Sequence, residues 1–467
     1  MKIPVIKPIC FVFDAVNSLD IKINKAQVKN LALILTVMIL SGSLCLSKII
    51  SVALGPCAIN TLSHCFNYAG LDGHLLMKSA LRYAIKIFSL DGISVKIAID
   101  DTMKHHSKFC QAIHGVYWLF DHVIGASCKA KCIVFAYLIV NETIRFPIGW
   151  RVFEQKERQK PSKTNAKDVN GVKKWELALE LINDAIDLGF SIEAVLFDSW
   201  YCVHGMVKEL DKKKIKWISE IKTSQIAEFW VQEDKMLRKI SLSIANFFKA
   251  GQSICKIVEL GLRSSGQDVQ KALYTTYEKV IHIRAFKGAY KLVRSVDQRS
   301  NTTKIFITNE LSWEAQKILT MYSSRWLIEE FFKNAKGLYG LEKACIRSRQ
   351  GGAISFFLVS FVDLLISIQL WKSVHDNPGK GQPTVSAIIA LAQEENLRNL
   401  IPLLEDPLQR QTIIDALLQQ LQSEQSKLRK KRKELVPIDN SPPSHPPDPL
   451  LHKTVTEQDG GLSGTAA

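Results

Sequence analysis

The period of the apolar positions changes along the chain, and each change marks a candidate boundary. Through residues 28–46 and 75–88 apolar side chains recur at helical intervals, with Gly55-Pro56 breaking the run, so residues 1–90 are expected to form a helical N-terminal region. At residues 94–102 the pattern becomes short and β-branched, with Val95-Lys-Ile-Ala-Ile99 leading into Asp100-Asp101-Thr102. Residues 133–140 are continuously bulky and read as a buried central strand, and residues 145–153 as a second strand. Residues 175–188 form an amphipathic helical pattern, and residues 194–197 a short buried strand that ends at Asp198. Strands ending in carboxylates, with a crossing helix between them, are an α/β pattern.

A long interval then separates Asp198 from Glu329. Within it, residues 216–222, 254–262, 271–286 and 289–295 look like strands joined by polar turns, and residues 304–308 return to the core. Residues 222–301 are therefore expected to be a largely β insertion between two core segments, 91–221 and 302–372. Residues 353–371 are helical and strongly apolar, and residues 382–425 are helical again, giving a helical C-terminal region over 373–436. That region ends in the basic run Lys427-Leu-Arg-Lys-Lys-Arg-Lys433, for which a solvated helix end and a DNA contact are both open readings. From residue 437 the composition shifts to Ser, Pro, Asp and Gly, which predicts a disordered tail over 437–467.

Residues 31–54 are the most membrane-like stretch. Ser41, Gly42, Ser43 and Ser47 dilute it and Lys48 interrupts it short of the roughly 20 apolar residues a span requires, so one or two buried helices and no membrane anchor are expected. The first residues carry Lys2 and Lys7 without a clean apolar core and do not read as a secretory signal.

Residues 322–336, Tyr-Ser-Ser-Arg-Trp-Leu-Ile-Glu-Glu-Phe-Phe-Lys-Asn-Ala-Lys, carry the most specific pattern. At about 100° per residue, Tyr322, Arg325, Glu329 and Lys336 fall within an arc of roughly 60° on one helix, while Leu327, Ile328, Phe331, Phe332 and Ala335 form a separate apolar stripe. One element is thus expected to anchor itself in a core and to present a phenol, a guanidinium, a carboxylate and an ammonium together. The plain alternative is a solvated face with an ordinary Arg325–Glu329 pair.

Charge and cysteine usage narrow the setting. With 61 Lys and Arg against 45 Asp and Glu, the chain of 467 residues carries a net charge of +16, which suits a polyanionic partner such as nucleic acid or an anionic membrane surface. Its ten cysteines are scattered, and Cys128-x3-Cys132 has neither a second pair nor a His at ligand spacing, so reduced thiols are expected and no zinc site.

Taken in order, Asp100-Asp-Thr102, Asp198-Ser-Trp-Tyr201 and the spacing Tyr322-x2-Arg325-x3-Glu329-x6-Lys336 resemble the signature of the IS4-type DDE transposases. The likeness covers roughly residues 95–365 and rests mainly on the last motif. It implies an RNase H-like mixed-sheet core, interrupted by a largely β insertion and flanked by helical N- and C-terminal regions. It also implies two Mg²⁺ ions, with Mn²⁺ as a substitute, held by Asp100, Asp198 and Glu329, since carboxylates are the hard oxygen donors such ions take. Asp100 is placed as the first ligand because it lies two before Thr102; Asp101 stays in reserve.

The same resemblance assigns Tyr322, Arg325 and Lys336 to the DNA backbone near the scissile bond. It makes double-stranded DNA, both transposon ends and target, the partner of a homodimer on paired ends in the bacterial cytoplasm at the nucleoid. It makes residues 1–90 a possible DNA-binding domain. Lys104, His105 and His106 are expected in a loop after the first catalytic strand, either as a plain polar loop or in contact with DNA. In hairpin-forming relatives an aromatic stacks on a flipped base, a role open to Trp217 or Trp230, for which a core position is the alternative. A catalytically inactive DNA-binding derivative, a metal-dependent nuclease without strand transfer and a membrane-associated basic protein are the rival readings.

Overall fold

In strand β1 (Ser94–His105), Ile97, Ala98 and Ile99 are fully buried, and in β3 (Ala126–Ile139) burial runs unbroken from Ala130 to Ile139. Such strands require cover on both faces, and the rest of the chain supplies it. The computed structural model describes residues 3–53, 59–110, 113–154, 172–233, 236–250, 255–262, 270–344, 346–378 and 382–434. The tail expected over 437–467 lies outside the described residues.

Helices α1 (Cys10–Asn17), α2 (Lys25–Ser41), α3 (Leu46–Val52), α4 (Ile59–Asn67) and α5 (Gly73–Phe88) precede β1. β2 (Tyr117–Asp121), β3 and β4 (Arg145–Val152) follow, then α6 (Lys174–Asp187), β5 (Ser191–Phe197), α7 (His204–Lys212) and β6 (Trp217–Glu220). Next come β7 (Ile226–Glu233), β8 (Met236–Ser243), α8 (Ile244–Ala250), β9 (Cys255–Leu262), β10 (Gln270–Ile283), β11 (Gly288–Asp297) and β12 (Thr303–Thr308). Helices α9 (Ala315–Ser323), α10 (Trp326–Gly337), α11 (Arg349–Asp376), α12 (Val385–Leu400) and α13 (Pro407–Glu434) complete the described chain.

The twelve strands share one mixed sheet in the order β2-β3-β1-β5-β6-β12-β11-β10-β7-β8, with β4 paired to β3 and β9 to β10. The β1/β5 and β5/β6 pairs are parallel and the other pairs antiparallel. The architecture is therefore mixed α/β, as the sequence pattern implies. Strands β2, β7 and β8 and the short helix α8 were not among the expected elements.

Residues 1–418 form one compact unit that contains the sheet; a second, 419–467, is described only through the remainder of α13. The stretch over 31–54 forms α2 and α3, bent by 88° at their junction, and α2 is buried from Leu31 through Leu40 apart from Leu33. α11 is long and apolar enough to cross a membrane by composition, with a mean hydropathy of 2.1 in its most apolar window, but 89% of that window is buried within the protein. Asp363, midway along α11, accepts hydrogen bonds from Tyr137 (2.9 Å) and Tyr339 (3.1 Å). Gly340 ties the segment after α10 to the α2–α3 turn: it sits at φ 81°, and a Cβ there would meet the Leu44 amide nitrogen at 2.6 Å.

Two local expectations are corrected. Residues 322–336 are not one helix, because α9 ends at Ser323 and α10 begins at Trp326. Ser324 N–H donates to Met321 O and Arg325 N–H to Tyr322 O, the short i→i−3 pattern of a tightened junction. Tyr322 therefore belongs to a different helix from Glu329 and Lys336. Lys104 and His105 are the last residues of β1, which continues past the expected strand end because β3 stays paired with it to His105↔Ala130.

Candidate functional site

The parallel pairing of β1 with β5 runs in register to Ile99↔Phe197, and the next residue on each strand is an aspartate. Asp100, midway along β1, and Asp198, just past the end of β5, thus lie side by side on neighbouring strands. Behind them Ile97, Ala98, Ile99, Val195, Leu196 and Phe197 are fully buried and hold both strands rigidly. Asp198 also closes the turn into α7, its Oδ1 accepting from the Trp200 N–H at 3.0 Å and the Tyr201 N–H at 3.4 Å. These bonds order the turn after β5 and leave Oδ2 outside them; α7 itself begins at His204, with Val203 at its N-cap.

Glu329 arrives on α10, whose Ile328, Phe331 and Ala335 are buried while Phe331 stacks on Tyr137 at 5.3 Å. Arg325, at the N-terminal edge of α10, joins the two carboxylates: its Nη1 donates to Asp100 Oδ2 at 2.9 Å and its Nη2 to Glu329 Oε1. Asp100, Asp198, Arg325 and Glu329 are consequently brought together from three elements. Burial pushes the Asp100 carboxyl up to about 7; Arg325 opposes this, while the charges of Asp198 and Asp101 add to it. Burial likewise raises Asp198. Two desolvated carboxylates with one guanidinium between the neighbouring acids make a site short of positive charge.

Asp101 faces the other side of the sheet. Its Oδ2 accepts from Lys174 Nζ at 2.8 Å and Cys132 Sγ at 3.1 Å, and its Oδ1 from Tyr201 at 2.9 Å. Those partners lock α6 and the turn after β5 onto β1, and they leave Asp100 as the aspartate on the α10 side.

The remaining sequence candidates occupy different settings. Tyr322 is buried against Phe306, with its hydroxyl donating to Phe197 O at 3.3 Å, so it braces the strand that delivers Asp198. Lys336 lies in the last turn of α10, Nζ 3.8 Å from Glu342; seven residues separate it from Glu329, about 10 Å along the axis. Lys104 is buried and donates to Ala344 O. Trp217 is fully buried and donates to Asp211, whereas Trp230 is exposed on β7.

Sequence reasoning passed over a cluster beside Asp198. Trp200 is 58% exposed, with Lys222 Nζ 4.4 Å above its ring and His122 against it at 4.9 Å. Only Trp200 is near Asp198 in the chain, so local spacing carried no signal for the other two.

Two known families match overlapping parts of the chain. Residues 159–362 match the transposase DDE domain family, a span that contains Asp198 and Glu329. Residues 48–236 match the DDE superfamily endonuclease family, which takes in Asp100 and Asp198. The two matches support a DDE transposase and a nuclease-type enzyme. No curated protein matches the chain.

Proposed function

We propose that the chain is an IS4-type DDE transposase that cleaves DNA at transposon ends and transfers the freed strand into target DNA. The observation that carries this reading is the convergence of Asp100 on β1, Asp198 just past the parallel β5 and Glu329 on α10, with Arg325 between two of them. The order β4-β3-β1-β5-β6, antiparallel and then parallel, supports an RNase H-like core, into which residues 222–301 would be inserted between the second and third acids.

The donor set fits divalent ions. It is all oxygen and largely desolvated, and it carries more negative charge than Arg325 neutralises, which are the conditions that favour Mg²⁺ or Mn²⁺. Asp100, Asp198 and Glu329 would hold two such ions, which when bound supply an activated water and a stabilised leaving oxygen. The chain's own residues orient the reaction. β1 and β5 fix the two aspartates, α10 fixes Glu329, and Arg325 presents a fork suited to a phosphate oxygen beside the carboxylates. Lys336 adds a point charge farther along the backbone. Tyr322 joins them on the phosphate only by exchanging its bond to Phe197 O.

Double-stranded DNA is the substrate, and a homodimer on paired ends in the bacterial cytoplasm is the working assembly. The test is Mg²⁺-dependent cleavage and joining of DNA carrying the element's own ends. Wild type should yield both products, and Asp198→Asn or Glu329→Gln should yield neither while still binding DNA. Cleavage retained in either variant would refute the assignment; cleavage without joining would identify a nuclease, and binding without cleavage an inactive derivative.

A further inference from the structure

On the face of the sheet that carries Asp101, three adjacent strands bring different donors together. His105 ends β1 opposite Ala130 of β3, Cys128 lies two residues before Ala130 on the same side, and Asp121 ends β2 diagonally from Cys128. His105 Nε2 lies 2.7 Å from Asp121 Oδ2, and one donor atom from each of His105, Asp121 and Cys128 lies within 4.8 Å of the others.

We propose that His105, Asp121 and Cys128 form a binding site for a transition-metal ion of the zinc class, separate from the carboxylate site. Nitrogen, oxygen and thiolate sulfur together are the donors zinc takes, whereas a thiolate is a poor ligand for Mg²⁺. A neutral imidazole, a carboxylate and a thiolate sum to two negative charges, which a divalent ion cancels. Binding forms the metal–sulfur bond and releases the thiol proton to solvent. The His105 Nε2 proton moves to Nδ1 or is likewise released.

Asp121 is already oriented for the role. Its Oδ1 accepts from the Val123 and Ile124 amides at 2.7 and 3.3 Å, which leaves Oδ2 directed at His105. The His105 side chain is 39% exposed, so water can complete a four-coordinate shell. Without metal, burial and the Asp121 charge hold the Cys128 thiol protonated. A bound cation reverses that balance.

The site would staple the edge strand β2 to β3 and β1. That edge needs a staple: among the described residues β2 pairs with β3 alone, and its turn exposes Val123 (97%) and Ile124 (59%). The same turn carries His122 against Trp200, so the staple would also set how the hairpin lies beside Asp198.

The test uses the full chain, with alkylation of Cys128 followed by mass spectrometry. Zn²⁺ should slow labelling of Cys128 roughly tenfold or more, because a metal-bound thiolate is no longer free to attack, and Mg²⁺ should leave it unchanged. In His105→Ala, Cys128 should still label and Zn²⁺ should no longer protect it. Should that variant misfold, Co²⁺ added to wild type gives an independent reading, a near-ultraviolet sulfur-to-cobalt band that Cys128→Ser removes. Unprotected Cys128 in wild type, equal protection in a folded His105→Ala, or a cobalt spectrum without the band would overturn the proposal.

Discussion

Arg325 Nη1 lies 2.9 Å from Asp100 Oδ2 across 225 residues of sequence, and the same guanidinium reaches Glu329 one helical turn away. A single cation therefore fixes the spacing of two carboxylates delivered by different elements. Lysine carries the charge but cannot span both partners with one rigid fork. Arg325→Ala should lower DNA cleavage on the order of 10²-fold, the scale set by removing one preorganised charge from a site. Arg325→Lys should recover only part of it. Single-turnover cleavage at saturating Mg²⁺ separates the two, and equal rates for lysine and arginine would show that charge alone suffices.

Lys104 is the second case in which a buried partner decides the role. Its ammonium donates to Ala344 O beneath the segment that follows α10, so it is spent inside the protein. Lys104→Met should leave DNA affinity and its salt dependence unchanged, because no phosphate contact is lost. It should lower unfolding free energy by about 1–3 kcal/mol through the unpaired carbonyl. A reduced slope of log affinity against log salt would return Lys104 to the DNA interface.

The strands that were legible in the sequence are those with both faces buried. Residues 133–140 announce β3 because nothing polar is needed on either side, and Asp198 stands out because Val195-Leu-Phe197 stops abruptly before it. β2 was illegible for the opposite reason, since Trp118 and Phe120 are exposed aromatics on an edge strand and break the apolar-in, polar-out rule. The choice between Asp100 and Asp101 could not be made from periodicity, because adjacent strand residues face opposite sides and only the packing of α6 and α10 says which side is which. The single polar face drawn over residues 322–336 failed at Ser324 and Arg325, where the junction of α9 with α10 turns Tyr322 toward Phe197 O.

Asp363 gives the fold a pH dependence with a definite sign. Burial among Tyr137, Tyr339 and α11 pushes its carboxyl up to about 6 although Arg145 and both tyrosines oppose the rise. The folded state thus holds this proton more tightly than the unfolded chain, whose aspartate titrates near 4. Stability from this group is fully present below about pH 4 and is lost as pH rises through about 6. Asp363→Asn, which cannot ionise, should gain stability relative to wild type as pH rises across that window, by up to about 3 kcal/mol. Urea unfolding of both proteins at pH 4 and pH 7.5 measures the difference; a gap that does not change with pH would remove Asp363 as its source.

Glu330, next to the proposed ligand Glu329, faces away from it and grips the sheet. Arg145, the first residue of β4 and 8% exposed at its side chain, donates to Glu330 Oε2 at 2.7 Å and Oε1 at 2.9 Å. The two-pronged bond fixes both the height and the rotation of α10, and with them the position of Glu329 one residue earlier. Removing one partner of a buried pair strands the other, so Glu330→Gln should lower unfolding free energy by about 3 kcal/mol, at the low end of the range because Glu330 keeps 33% of its side chain exposed. Its cleavage rate should fall more than its DNA affinity, since Glu329 loses its alignment while Arg325 and Lys336 keep their charge. Glu330→Asp, which keeps the charge on a shorter arm, should recover part of the stability. A loss below about 0.5 kcal/mol would instead mark the pair as an ordinary surface salt bridge with no hold on α10.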